Sequence, residues 1–394
     1  MKTRLLVKVF LAACLFLGLA SVSYSETQGV SDTEIVLGSH NALSGPVAGW
    51  GIPIVRALRI RFEEANANGG IHGRKIRLVA EDSQYQVPIA VQKANKLINR
   101  DKVFGLVASI GSPMNNAVFK FQFKKDVPSL FPATHSRSMI EPFNKLKFMA
   151  NATYYDSMRA ATRYYVEVKG KKRVGVMAID SDHGMETVDG VTDQLQAMGM
   201  EVAAMTLHKA TETNFVSSIT KLRNAGCDVV MLGTIIKDTI IAVTTARKLG
   251  WEVEFVGNGA VCSSIVTKMG GPMVEGLVGV NILDMLPETP KTEQGRLFVE
   301  KYQKQYNTLP NEGAVAAYAY MDILIKGMEN AGRNLTVESL VKGIESIKGY
   351  ESPFIAPVRN YSAENHQGHN KSWLLVVKNN KWVLPEGKIE YLTY

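Results

Sequence analysis

Residues 228–257 read DVVMLGTIIKDTIIAVTTARKLGWEVEFVG, and three parts of that stretch decide the architecture. Asp228 to Leu232 is a short apolar run of the length and type expected of a strand covered on both faces. Thr239 to Lys248 has helical spacing, and Gly250 follows Lys248-Leu249 where a left-handed C-cap stops a helix. Glu254 to Gly257 is a second apolar β run. Strand, helix and strand within this length form a parallel crossover unit, whose repetition builds a sheet with helices on both sides.

The alternation extends in both directions. Toward the N-terminus the readings are helix Asp156 to Val168, strand Arg173 to Ile179, helix Met185 to Ala197, strand Glu201 to Thr206 and helix Asn214 to Asn224, with Gly199 and Gly226 as further helix stops. An earlier, separate run starts with strand Ile35 to Asn41, helix Trp50 to Ala67 and strand Ile76 to Glu81. It continues through helix Ile89 to Asn99, strand Gly105 to Ser109, helix Pro113 to Lys125 and strand Pro128 to Phe131. The last third breaks the pattern: three helices, Thr292 to Tyr306, Gly313 to Ala331 and Val337 to Ile347, are expected to return to the first lobe. A hairpin follows, Trp373 to Lys378 and Lys381 to Leu384 around Asn379-Asn380. The expected fold is α/β, two doubly wound parallel-sheet lobes, 32–152 with 283–357 and 153–282 with 358–394. Several chain crossings form the hinge, with a cleft between the lobes.

The first 25 residues set the compartment. Lys2, Arg4 and Lys8 precede an apolar run from Val9 to Ala20 that is too short to span a bilayer, and Ser23 and Ser25 offer small side chains for cleavage before Glu26. This is a secretory signal pattern and predicts a periplasmic location. Leu11-Ala12-Ala13-Cys14 offers a lipoprotein alternative, but the apolar run continues past the cysteine. About 370 residues remain, suited to two domains rather than one. The formal charge of +8 loses the three signal cations and falls to +5, with basic residues scattered among acids, which argues against nucleic acid as a partner. Cys227 and Cys262 remain. They sit at opposite ends of neighbouring predicted strands, roughly 15 Å apart against the about 7 Å that a disulfide spans, so two free thiols are expected.

In open α/β sheets ligands gather beyond the carboxyl ends of the strands. Three loops there stand out. Ser44-Gly45-Pro46-Val47-Ala48-Gly49-Trp50-Gly51 sets a large aromatic between glycines at a helix start, which a packed Trp in a turn explains as well. In Ser109-Ile110-Gly111-Ser112-Pro113-Met114, Ser112 reads as an N-cap and Pro113 as the first helical residue, offering free N–H groups to an anion or simply an ordinary cap. Pro132-Ala133-Thr134-His135-Ser136 follows a buried strand with small polar groups, or is turn chemistry alone.

The exported start, the Ser-Gly-Pro loop, "FEEANANGGIHGRKIRLVAEDSQ", "VPSLFPAT", "SDHG" and "DVVMLG" together resemble the Leu/Ile/Val-binding type of periplasmic solute-binding protein, over nearly all of residues 32–384. The resemblance implies a small-molecule ligand held between two lobes and delivered to the permease and ATPase subunits of an ABC transporter. It also implies a monomer with no cofactor, no metal and no catalysis. It further implies that Trp50 packs over the ligand, Ser112 helps hold its carboxylate, and Ala133, Thr134 and His135 add backbone and hydroxyl contacts. His183, in Ser181-Asp182-His183-Gly184, falls where the family often has a Tyr that closes over the ligand. Tyr154 or Tyr155 is expected against the ligand's apolar part.

One departure bears on the ligand. Where amino-acid binders of the family carry a Glu for the ammonium, this chain has Gly259, with Asp180, Asp182 and Asp238 as possible substitutes. An unpaired buried ammonium is costly, so the expectation covers an amino acid or a related small carboxylate, aromatic ones included. A family cysteine pair is also missing, Tyr85 and Gly111 standing near its positions. His366-x-x-His369 reads as a polar surface turn rather than a metal site, and the Asn-x-Ser/Thr triplets at Asn151, Asn334, Asn360 and Asn370 carry no weight in a chain with this leader. No Walker loop, dinucleotide fingerprint or nucleophile elbow is present. The competing readings are a ligand sensor of the same fold and, more weakly, an α/β enzyme.

Overall fold

The computed structural model of the chain describes residues 27–284 and 290–393. The leader read at 1–25, its cleavage site and Cys14 lie outside the described residues. The chain enters through β1 (Glu34–Asn41), α1 (Ala48–Ala67), β2 (Lys75–Asp82), α2 (Val87–Asn99), β3 (Gly105–Val107), α3 (Ser112–Lys124), β4 (Ser129–Leu130) and β5 (Lys147–Phe148). These five strands are all parallel in the order β2-β1-β3-β4-β5. Ala94, Leu97 and Ile98 of α2 and Val118 of α3 pack on Val36 and Leu106, while Ile35 and Leu37 face the opposite side and its helices. Alternating side chains thus bury both faces, as double winding requires.

The pattern restarts with α4 (Tyr154–Glu167), β6 (Val174–Ile179), α5 (Asp182–Ala197), β7 (Ala204–His208), α6 (Val216–Asn224), β8 (Val229–Gly233), α7 (Ile236–Lys248), β9 (Glu254–Gly257), α8 (Ser264–Gly270) and β10 (Val278–Asn281). Val229 and Met231 of β8 enter one core and Val230 and Leu232 the other, so the run from Asp228 to Leu232 has no polar alternation because it has no wet face. The helix stops adopt left-handed φ, 70° at Gly199, 68° at Gly226 and 66° at Gly250. β7 begins three residues later than expected: Glu201 is exposed, whereas His208 at the other end is buried against Asp238.

α9 (Glu293–Tyr306), α10 (Glu312–Asn330) and α11 (Val337–Glu345) share the first sheet's core, with Tyr318, Met321 and Leu324 of α10 in the same cluster as Ile54 and Leu58 of α1. β11 (Ser372–Lys378), β12 (Lys381–Val383) and β13 (Tyr391–Leu392) then extend the second sheet with antiparallel pairings. Asn379 and Asn380 turn between β11 and β12 at φ 53° and 59°, the left-handed pair a two-residue hairpin needs. The second sheet runs β12-β11-β10-β9-β8-β6-β7.

Three passages of chain join the two sheets, and one side chain ties them together. The fully buried Arg359 guanidinium donates to the Ala150 carbonyl at 3.1 Å and to Asn151 Oδ1 at 2.8 Å, and pairs with buried Asp284. Asp284 also accepts from Ser352 at 2.5 Å. The guanidinium and carboxylate compensate each other inside the protein, the condition under which buried charge is tolerated. Both thiols, Cys227 and Cys262, are free and buried, as expected.

Candidate ligand-binding site

The loops beyond the strand ends of both sheets converge on a cavity of about 70 Å³. Trp50 reaches it from the first turns of α1. Two glycines allow this: a Cβ at Gly51 would collide with the Ala42 carbonyl at the end of β1, and one at Gly313 would sit 2.6 Å from the Trp50 ring. Trp50 touches the cores of both lobes, so it lies at their seam. The lining around it is mostly apolar, with Ile54, Ile110, Ile235, Ile236 and Leu283 among the walls. Ala133, Thr134, His135, Tyr154 and His183 line it too, so five more of the residues expected at the site meet Trp50 there.

Ser112 stands behind this wall rather than in it. It is fully buried and is the first residue of α3, whose N-cap is Gly111 at φ 97°. The expected serine cap is therefore absent, because the Ser112 hydroxyl is used elsewhere. Ser136 donates to Ser112 at 2.7 Å, and Ser112 lies 2.6 Å from Thr134, which in turn meets the Tyr154 hydroxyl. In the proton order Ser136 to Ser112 to Thr134 to Tyr154, one of the two that the Ser112–Thr134 contact allows, the Tyr154 O–H is the terminal donor. The N–H groups of Ser112 and Met114, in the first turn of α3, have no intrahelical acceptor, and Gly111 lines the cavity beside them. This side of the cavity offers donors to an anion.

Tyr155 is a correction. Its ring lies under Arg137 at 3.8 Å and its hydroxyl donates to Asp193, so it faces out while its neighbour Tyr154 faces in, as adjacent positions of a helix must. His135 is held by Tyr320 at 3.1 Å, and Asn151 donates to the same Tyr320 oxygen at 2.6 Å; burial lowers the His135 pKa to about 3 and keeps the ring neutral. His183 is also neutral, its pKa lowered to about 4 by burial.

Among the described residues lining the cavity, none is Asp, Glu, Lys or Arg. Gly259 is in the wall, and a Cβ there would come within 2.9 Å of Ile282. Of the acids considered as substitutes, Asp182 accepts from Asn116 at 2.7 Å, and Asp180 is exposed. Asp238 is fully buried behind the wall, 3.1 Å from His208 and 3.4 Å from Lys237.

Polar contacts join the lobes beside the cavity. Arg137 bridges to α5 through Asp189 at 2.7 Å and Glu186 at 3.4 Å, and Glu186 also accepts the Arg137 backbone N–H at 3.0 Å. Burial outweighs Arg137 and raises the Glu186 pKa to about 7. On the opposite flank Glu312 of α10 accepts the Ser264 N–H of α8 at 3.0 Å.

The His366 and His369 pair is not a surface turn. Both are buried: His366 stacks on Phe148 and bonds Lys147 O and Glu345, and His369 bonds Asn151. Among the described residues no group of three or more His, Cys, Asp or Glu side chains is arranged to hold a metal ion. What sequence reasoning missed at the site is Gly313 and Tyr320, which come from α10 some 260 residues after Trp50, and no local signal marks them.

A family model described as periplasmic binding protein matches residues 34–381. An amino acid binding protein of Pseudomonas aeruginosa is 26% identical over 333 residues, 83% of this chain and 86% of the relative. A leucine binding protein from Thermotoga maritima superposes with a TM-score of 0.80 at 18% identity, covering 91% of this chain and 98% of that one. A solute binding protein of an ABC transporter from R. palustris, solved in complex with benzoate, gives 0.78 at 20% identity, with 89% and 95% covered.

Proposed function

Because the chain belongs to the periplasmic binding protein family, a family of solute-binding proteins rather than enzymes, we propose that it is the exported solute-binding component of an ABC transporter, working as a monomer. It captures a small carboxylate with an apolar body and presents the closed form to a permease and its ATPase. Residues 32–152 with 283–357 form one lobe and 153–282 with 358–394 the other, after removal of a leader at 1–25. In the closed cleft the ligand's carboxylate faces the first turn of α3 and the Tyr154 hydroxyl, which the Ser112 and Thr134 hydroxyls orient, while Trp50 covers its apolar part. Ala133 and His135 complete the first-lobe wall, and His183 approaches from the second lobe. Contact with both lobes makes the closed state the one the ligand stabilises.

The observation that carries the ligand class is the charge-free lining. Donors for an anion are present, but an ammonium would find no carboxylate on the wall, and burying it unpaired costs several kcal/mol. The choice of a carboxylate without an α-ammonium follows. Calorimetric titration tests it: the mature protein is expected to bind benzoate or a similar apolar carboxylate and to give no heat with L-leucine or L-valine. Tight binding of leucine or valine with silence toward carboxylates that lack an amine would overturn the ligand class.

A further inference from the structure

His183 opens α5, and its neighbours fix how its ring is used. The side chain is 4% exposed and lines the cavity, facing the edge of Tyr154 with ring centroids 4.9 Å apart. It hydrogen-bonds the Thr234 backbone, while its Nε2 is buried with no partner in the protein. A neutral imidazole has a single N–H. Spent on a carbonyl, that N–H leaves the other nitrogen as a lone pair, and a buried acceptor without a donor costs about as much as a lost hydrogen bond. The ring does not escape the cost by charging, because burial holds it neutral.

The second-lobe end of the cavity is therefore an acceptor, opposite in sense to the first-lobe end with its Tyr154 hydroxyl and α3 N–H groups. Tyr154 spans the two: its hydroxyl meets Thr134 and its ring meets His183. A single tyrosine side chain thus touches both ends, which sets the scale of a monocyclic ligand. Asp238 adds negative potential behind His183, but it is fully buried, 3.1 Å from His208 and 3.4 Å from Lys237, and is not among the cavity's lining residues, so the unpaired group at this end of the lining is the neutral His183 nitrogen.

We propose that the ligand is a monocyclic hydroxycarboxylate whose carboxylate lies at the α3 end and whose hydroxyl donates to His183. This rests on the carboxylate reading above and adds a second polar group to it. His183 then discriminates between ligands, since a molecule of the same shape without the hydroxyl leaves the imidazole nitrogen unpaired in a closed, dry cleft.

Calorimetry on the mature full-length protein with benzoate and its 2-, 3- and 4-hydroxy derivatives tests this, alongside His183→Phe and His183→Gln. In the wild type at least one hydroxybenzoate is expected to bind about tenfold or more tighter than benzoate, the worth of one buried hydrogen bond. In His183→Phe, which keeps an aromatic ring against Tyr154, the preference is expected to shrink below about threefold while benzoate binding persists; in His183→Gln, whose carbonyl can accept, part of it returns. Hydroxybenzoates no tighter than benzoate in the wild type would overturn the inference while leaving the carboxylate reading intact. A preference that survives in His183→Phe would also overturn it. Binding of L-leucine with no binding of any benzoate would overturn the carboxylate reading itself. The wild-type series decides even if a variant does not fold.

Discussion

Trp50 and Tyr154 make different contributions, and substitution separates them. Trp50→Ala removes a half-buried side chain that packs against both lobes' cores at their seam and is expected to weaken ligand binding more than about tenfold, the loss of part of a large aromatic's packing. Tyr154→Phe keeps the ring against His135 and His183 but deletes both the terminal donor and the acceptor of the buried Thr134 hydroxyl, so a loss of about tenfold for a carboxylate ligand is expected by titration, together with a modest fall in the unliganded melting temperature. Ser112→Ala is expected to lower both, because it strands the Ser136 donor inside the protein at about 1 kcal/mol or more. The sequence supplied Trp50, Thr134 and His135 because each lies in a loop after a strand end, while His183 came from the family resemblance and Tyr154 only as one of a pair with Tyr155. It misread Ser112 as a cap, since Ser before Pro has the same local signature whether its hydroxyl turns to the helix or to a distant strand loop. Tyr155 looked equivalent to Tyr154 because a helix face cannot be chosen from two adjacent tyrosines.

Between elements, the bridge from Arg137 to α5 sets a pH dependence. With the cleft closed, Glu186 keeps its proton up to about pH 7, against an ordinary value near 4.5. The closed form therefore binds the proton more tightly than a form in which the α5 face is wet. Closure is favoured fully below the ordinary value, and that advantage is lost as pH rises through the raised one. Ligand affinity is expected to fall between about pH 4.5 and 7 and to level off above, and Glu186→Gln is expected to flatten that slope in titrations across the range. Arg137 and Asp189 share the site, so the same scan on Asp189→Asn separates their effects. Elements were legible where length and helix stops agreed, as in β8, α7 and β9. They shifted where a distant partner decided the end: His208 extends β7 because Asp238 awaits it.

For the whole molecule, the three passages between the lobes hang on Arg359 and Asp284, an arrangement no reading of the sequence could find, since its partners lie at positions 150, 151, 284 and 352. Arg359→Ala leaves Asp284 charged and unpaired in the interior and is expected to cost about 3–5 kcal/mol by chemical denaturation. The double change Arg359→Met, Asp284→Leu is expected to recover much of it, because neither charge is then stranded. The two-lobe plan itself was legible because its crossover units repeat, and the last third stood out because it breaks that alternation. The cysteines carry a practical consequence. Cys227 fits against Gly175 and Cys262 against Gly279, both shut away from water, and burial raises the pKa of both thiols. Thiolate reagents are accordingly expected to leave the native mature protein unmodified until it is denatured. Among the described residues, a pair of cysteines introduced at exposed positions, Asn99 on α2 and Lys209 after β7, would then be the thiols a spin label or dye can reach. The distance between such labels would read the opening and closing of the cleft directly, on the unaltered background of the natural chain.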